Sequence, residues 1–166
     1  MLTGKKIVLG VSGGIAAYKM ANVASMLSKL HADIHVVMTE NATHFITPET
    51  FEVLTGNHCY TDTFDRCMEL HVPHIALGTQ ADAILIAPAS ADVVGKIANG
   101  IADDMLTTCV LPATCPVMLA PSMNVHMYEN PIVQDNMKKL VSYGYEIIEA
   151  DEGYLACRDI GKGKLP

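Results

Sequence analysis

Four short segments carry side chains whose types and spacing suit chemistry. The first, Gly10-Val11-Ser12-Gly13-Gly14-Ile15, closes an apolar run with glycines that let backbone N–H groups gather round a phosphate at the start of a helix. Its spacing departs from the G-x-G-x-x-G dinucleotide fingerprint. It also departs from the Walker pattern, because Lys19 is neither preceded by glycine nor followed by Ser or Thr. A mononucleotide phosphate therefore remains open as the ligand. The same residues fit G-x-S-x-G, the nucleophile elbow, so a Ser12 hydrolase is a second reading, although no HGGG-type oxyanion loop precedes it. A turn that simply needs glycine is a third.

The second segment, Pro88-Ala89-Ser90-Ala91-Asp92, combines small residues that admit a flat ligand to the backbone with a hydroxyl that can bond it. Ser90 is equally suited to be the N-cap of a helix. In the third, Ala120-Pro121-Ser122-Met123-Asn124, the amide can both donate and accept, or cap the helix that follows. The fourth, running from Gly153 to Lys164, sets one thiol, Cys157, among Arg158, Lys162 and Lys164; neighbouring positive charge lowers a thiol's pKa and raises its reactivity. His74, just before an apolar run, is the histidine best placed for acid-base work. His71 and His74 are three apart, but Pro73 between them disfavours a helix that presents both, so no metal site is expected.

Those segments need elements to hold them. Ile7 to Val11, Ile34 to Met38, Ala83 to Ala87 and Val117 to Ala120 are apolar without alternation, the pattern of strands covered on both faces, and Ile147-Ile148 offers a last short one. Ala16, Ala17, Met20, Val23, Ala24, Leu27 and Leu30 are spaced as one helical face, and further helices are expected near 47–56, 90–98, 103–111 and 131–143. Strands and helices alternate. The expected fold is a single α/β domain over residues 1–166, an open parallel sheet with helices on both faces, Rossmann-like or flavodoxin-like. Residues 151–166, rich in glycine and charge, read as a surface loop or flap. In such a sheet the ligand sits beyond the carboxyl ends of the strands, and the four segments are expected at such positions.

Composition narrows the classes. Half the chain is hydrophobic, which suits a buried sheet and leaves apolar surface for subunit contacts. A net charge of −7 with no Lys/Arg cluster argues against nucleic acid. No stretch approaches the roughly 20 apolar residues that cross a bilayer, so no membrane partner is expected. Five cysteines without a C-x-x-C pair favour neither disulfides nor zinc and fit reduced thiols in a cytoplasm. Cys59 and Cys67 read as peripheral, Cys109 and Cys115 as small core residues.

Taken together, Ser12-Gly13-Gly14-Ile15-Ala16-Ala17, His74, Pro88-Ala89-Ser90-Ala91-Asp92, Pro121-Ser122-Met123-Asn124 and Ala156-Cys157 resemble the homo-oligomeric flavin-containing cysteine decarboxylases, from about residue 5 to the end. The resemblance implies FMN contacts at Gly13, Gly14, Ile15, Thr39, Ser90, Ala91, Asp92, Val93 and Ser122. It further implies a catalytic His74, an Asn124 that holds the substrate carboxylate, and a flap with Ala156 and Cys157 against the substrate, Cys157 donating a proton. Trimers or assemblies of trimers, with the flavin between subunits, follow from the same likeness. Arg158 stands where the family usually has glycine, and Lys164 where arginine is common.

The implied reaction is oxidative decarboxylation of a phosphorylated cysteine conjugate, 4'-phosphopantothenoylcysteine, to 4'-phosphopantetheine in coenzyme A biosynthesis. Direct loss of CO2 would leave an unstabilised carbanion; oxidation of the CH2–SH group to a thioaldehyde gives the electrons a sulfur to flow into. Decarboxylation of a peptidyl cysteine, and a non-catalytic regulatory subunit, are the alternatives within the likeness. Lys162, Lys164 or Arg158 would serve the substrate phosphate.

Overall fold

The apolar runs pair as expected. Ile7 lies opposite Ile34 in one parallel ladder and opposite Ala83 in the other, so the chain's first strand becomes a central one. The computed structural model of the chain describes residues 1–64, 72–154 and 160–166. Its strands are β1 (Lys6–Val11), β2 (Asp33–Met38), β3 (Cys59–Tyr60), β4 (Ala83–Ala89), β5 (Val117–Pro121) and β6 (Glu146–Ile147), followed by β7 (Asp151–Tyr154) and β8 (Ile160–Lys164). The helices are α1 (Met20–Lys29), α2 (Pro48–Thr55), α3 (Pro73–Gln80), α4 (Ala91–Ala98), α5 (Met105–Val110), α6 (Val125–Tyr128) and α7 (Pro131–Ser142).

The first six strands form one parallel sheet in the order β3-β2-β1-β4-β5-β6, the Rossmann order of the two expected. The order reverses between β1 and β4. There the chain runs outward in both directions, and the carboxyl ends of the two strands part to leave a crevice.

Two apolar clusters mark the two faces of the sheet. Val8, Ile84, Ile86, Val117 and Leu119 pack with Leu77 of α3, Val94 of α4, Leu106 of α5 and Leu140 of α7. Leu9, Val11, Ile34, Val36 and Met38 pack with Met20 and Ala24 of α1 and Phe51 of α2. Full burial of each large side chain contributes about 1.5–3 kcal/mol, which is why strands without alternation are stable only between two layers. The second layer is narrower than the first: the crossovers after β4 and β5 both lie on the first face, so Leu85 and Met118 on the second are only half-buried.

Local chemistry sets the helix starts. The Ser90 hydroxyl accepts from Val93 N–H at α4, and Asp104 and Thr107 form a capping box at α5. α3 begins at Pro73, whose missing N–H costs nothing in a first turn, so His74 belongs to that turn.

The structure departs from the sequence reading in several places. The helix expected from Ala16 to Leu30 opens as a 3-10 turn over Ile15–Lys19, which draws Ala16 and Ala17 into the core. β3 has only two residues, too few for a pattern to register, and it makes Cys59 a buried residue, 3% exposed, rather than a peripheral one. Cys109 is a core residue as expected and Cys115 packs against that core, while Cys67 lies outside the described residues. The last sheet strand sits one residue earlier than Ile147-Ile148 suggested.

Residues 151–154 and 160–164 form strands where a loop was expected. β7 and β8 pair antiparallel, with Glu152 opposite Lys162 and Tyr154 opposite Ile160. Their low apolar content hid them, because the hairpin docks through glycines. Gly163, at φ +133°, runs so close to Met123 that its carbonyl accepts the Met123 N–H at 3.0 Å, and a Cβ on Gly161 would stand 2.6 Å from Val125 Cγ2.

Candidate active site

A cleft of about 490 Å³ opens where β1 and β4 part, beyond the carboxyl ends of the strands. It brings together residues of all four segments. Gly13, Gly14 and Ile15 form one wall, Ser90 and Ala91 a second, and Ser122 with Asn124 a third. The β8 end of the hairpin closes the far side with Gly163 and Lys164.

Each wall has a physical reason to be where it is. Gly13 has no room for a side chain, since a Cβ there would run into Asn41, whereas one on Gly14 would meet nothing and project into open space. The turn is thus a bare backbone surface on which a phosphate can rest. Small residues at Ala91 and Ser122 extend that surface for a flat ring. Asn124 caps α6 by accepting the His126 N–H at 2.9 Å on its Oδ1. That bond uses Oδ1 as the acceptor and fixes the orientation of the amide at the cleft.

Ser12 is not a nucleophile. It has no exposed surface, its hydroxyl donates to the Pro88 carbonyl at 2.6 Å, and it accepts the Ser90 N–H at 2.9 Å. The nucleophile-elbow reading requires an exposed hydroxyl and fails on that point.

Other expected residues stand back from the cleft. Thr39 is 8% exposed and caps the turn over Glu40–His44, while its own N–H donates to Val11 at the end of β1. The Val93 side chain is in the core, and the Asp92 carboxylate pairs with Lys96 at 3.2 Å. These two can reach a ligand only through the backbone. His74 does not border the cleft either. It starts α3 at the same end of the sheet, and its Nδ1 is buried with no hydrogen-bond partner, which costs about 1–3 kcal/mol when nothing satisfies it. Ala156, Cys157, Arg158 and His71 lie outside the described residues.

Sequence reasoning missed Tyr18, Lys19 and Met127 as cleft residues. Lys19 had a readable signal, one helical turn beyond Ile15, but only the 3-10 turn fixes which way it faces. Its ammonium donates to the Leu165 carbonyl at 3.3 Å. Lys164 borders the cleft, while Lys162 pairs with Glu149 at 3.6 Å outside it. Two cations in one cleft of a chain with net charge −7 create a local field that suits phosphate. Among the described residues no group of His, Cys, Asp and Glu side chains converges to hold a metal, and no helix is long and apolar enough to cross a membrane.

The donor set fits a flavin nucleotide: a side-chain-free turn for its phosphate, small residues beside its ring, and cations and an amide to receive an acidic substrate. Comparison with known proteins agrees. The chain is 50% identical over 165 residues to the coenzyme A biosynthesis bifunctional protein CoaBC of Bacillus subtilis, covering 99% of this chain and 41% of that protein. It thus spans less than half the length of that bifunctional relative. It is 44% identical to a probable phosphopantothenoylcysteine decarboxylase of Streptococcus mutans, covering 97% of this chain and 91% of the relative.

Among solved structures, a cysteine-to-serine mutant of PPC decarboxylase complexed with pantothenoylaminoethenethiol superposes with a TM-score of 0.85 at 30% identity, covering 98% of this chain and 91% of that one. The FMN-dependent cysteine decarboxylase SpaF does so with a TM-score of 0.86 at 36% identity, covering 98% and 92%. The Flavoprotein family model matches residues 1–166, and with the glycine turn, the Ser90 turn and Asn124 gathered at one switch point, this chain belongs to the Flavoprotein family.

Proposed function

We propose that the protein is an FMN-dependent enzyme that decarboxylates 4'-phosphopantothenoylcysteine to 4'-phosphopantetheine for coenzyme A biosynthesis. The observation that carries this reading is the cleft itself, which sets the Asn124 amide across from a bare glycine turn and beside Lys19 and Lys164. Its support from relatives is the likeness, over nearly the full length of both chains, to a probable phosphopantothenoylcysteine decarboxylase.

When bound, the flavin supplies a two-electron oxidation of the substrate CH2–SH group and returns the electrons after CO2 has left. The chain's own residues do the rest. Gly13 and Gly14 offer backbone N–H groups to the flavin phosphate, and Ser90, Ala91 and Ser122 line its ring. Asn124 donates to the substrate carboxylate and holds it near the oxidised carbon. Lys164 and Lys19 attract the substrate phosphate. His74 takes the proton of the substrate thiol during that oxidation, and Cys157 returns a proton to the ene-thiol.

His74 serves the cleft of a neighbouring subunit, in a homotrimer or an assembly of trimers. Support comes from its standing outside the lining of its own chain's cleft, its unsatisfied Nδ1, and the half-covered sheet face at Leu85 and Met118. Residues 1–166 act as one domain with residues 151–166 as the substrate flap. A cytoplasmic location accords with the unpaired thiols of Cys59, Cys109 and Cys115.

The test is anaerobic turnover of phosphopantothenoylcysteine with mass detection of the product, together with the visible spectrum of the purified protein. Yellow protein that yields phosphopantetheine is the expected result; colourless protein unchanged by added FMN ends the proposal. The likeness to the cysteine decarboxylase SpaF makes another cysteine substrate, a peptidyl cysteine, the second reading to try. A saturated thiol formed from phosphopantothenoylcysteine, with no turnover of a peptidyl cysteine, separates the two readings.

A further inference from the structure

We infer that Ser12 is a positioning residue for the cofactor: its buried hydroxyl sets the spacing between the two turns that receive the flavin. The inference rests on the flavin reading of the cleft. The β1–β4 ladder runs from Ile7 opposite Ala83 to Gly10 opposite Ile86. It cannot continue in the ordinary way, because Pro88 has no N–H to give. Ser12 supplies the missing rung with its side chain. The hydroxyl donates to the Pro88 carbonyl at 2.6 Å and accepts the Ser90 N–H at 2.9 Å, while the Ser12 N–H reaches the same carbonyl at 3.3 Å.

The chain of bonds continues outward. Ser90, so fixed, caps α4 by accepting the Val93 N–H at 3.3 Å. On the other strand Ser12 is followed directly by Gly13 and Gly14, and both turns border the cleft. With no exposed surface, Ser12 itself touches no ligand. Its hydroxyl can act on the flavin only by holding Gly13-Gly14 and Ser90-Ala91 at a fixed separation.

Three variants and one exchange measurement test this. Flavin dissociation constants are measured by fluorescence quenching on titration of FMN into the flavin-stripped wild type, Ser12→Ala and Ser12→Thr. Ser12→Ala should bind about tenfold more weakly or worse, the consequence of leaving the Ser90 N–H without its buried partner. Ser12→Thr, which keeps the hydroxyl, should recover most of the loss.

Wild-type affinity in Ser12→Ala overturns the inference, and so does equal weakening by Ala and Thr, which would assign the effect to packing. Should Ser12→Ala fail to fold, Ser12→Gly replaces it with the same reading. On the flavin-loaded wild type, hydrogen exchange of the Ser90 amide at the rate of an open loop also overturns it, because the bond to Ser12 would then not persist. A wild type that takes up no flavin removes this inference together with the proposed function, whereas a flavin-binding wild type with an indifferent Ser12 removes the inference alone.

Discussion

The floor and the roof of the cleft are built in opposite ways. The floor, where β1 meets β4, consists of side chains with little or no exposure, tied across the switch point by the buried bonds of Ser12. The roof, β7 with β8, has almost no apolar content and is fastened by the Met123–Gly163 backbone bond and by glycines at 161 and 163 that let two backbones touch. Opening a floor fixed by burial requires exposing the core. A roof fixed by a few backbone contacts can re-seat at modest cost. The division suits a cofactor that stays and a substrate that must enter and leave.

The largest break in that contrast comes from the roof's chemistry. Cys157→Ser should cut the saturated thiol product by about 10²–10⁴-fold, with ene-thiol accumulating and flavin content unchanged, as read by mass spectrometry and absorbance. Normal pantetheine output would take Cys157 out of the mechanism.

Asn124→Asp comes next. The carboxylate still caps α6, but it loses its donors and repels the substrate carboxylate, so turnover should fall by about 10²–10³-fold while melting changes little. A comparable loss of stability would instead make Asn124 a structural cap.

Gly163→Ala sharpens the distinction at a smaller scale. Its positive φ and the nearness of the Met123 carbonyl cost the side chain of order 1–3 kcal/mol, so kcat/KM should drop about tenfold with flavin affinity unmoved. A matching loss of flavin would show that roof and floor are one unit.

Asp104→Ala, away from the cleft, removes the α5 capping box and should lower stability by about 1 kcal/mol in a thermal melt, leaving turnover intact. The smallest expected effect is none at all. Burial pushes the Cys59 thiol up to about 12, helped by Glu52 and Glu49, and pushes Cys109 up to about 12 as well. Both should resist alkylation at pH 8 in the native protein. Labelling of either without unfolding would show the floor to be looser than its burial implies.

The floor was legible in the sequence because its signals are local. Continuous apolar runs mark strands covered on both faces, Gly13-Gly14 marks a turn, and Ser90 marks a cap; the structure places all of these where the residues suggested. The roof was not legible. Glu152, Gly153, Gly161 and Lys162 pair through backbone groups that every residue shares, and their partners at 123–125 are distant in the chain. The role of Ser12 was hidden for a related reason: as a motif it reads as a nucleophile, and only the neighbouring strand shows that its hydroxyl is already engaged.

By itself the sequence determined the α/β class, the positions of the four longer parallel strands β1, β2, β4 and β5, and the residue types of the site, because periodicity and turn chemistry act over a few residues. Tertiary structure alone decided the strand order, the facing of Lys19 and Lys164 into one cleft, the burial of Ser12 and the setting back of His74. Each of these depends on which distant segments become neighbours, and that is settled by packing the whole sheet rather than by any short stretch of chain.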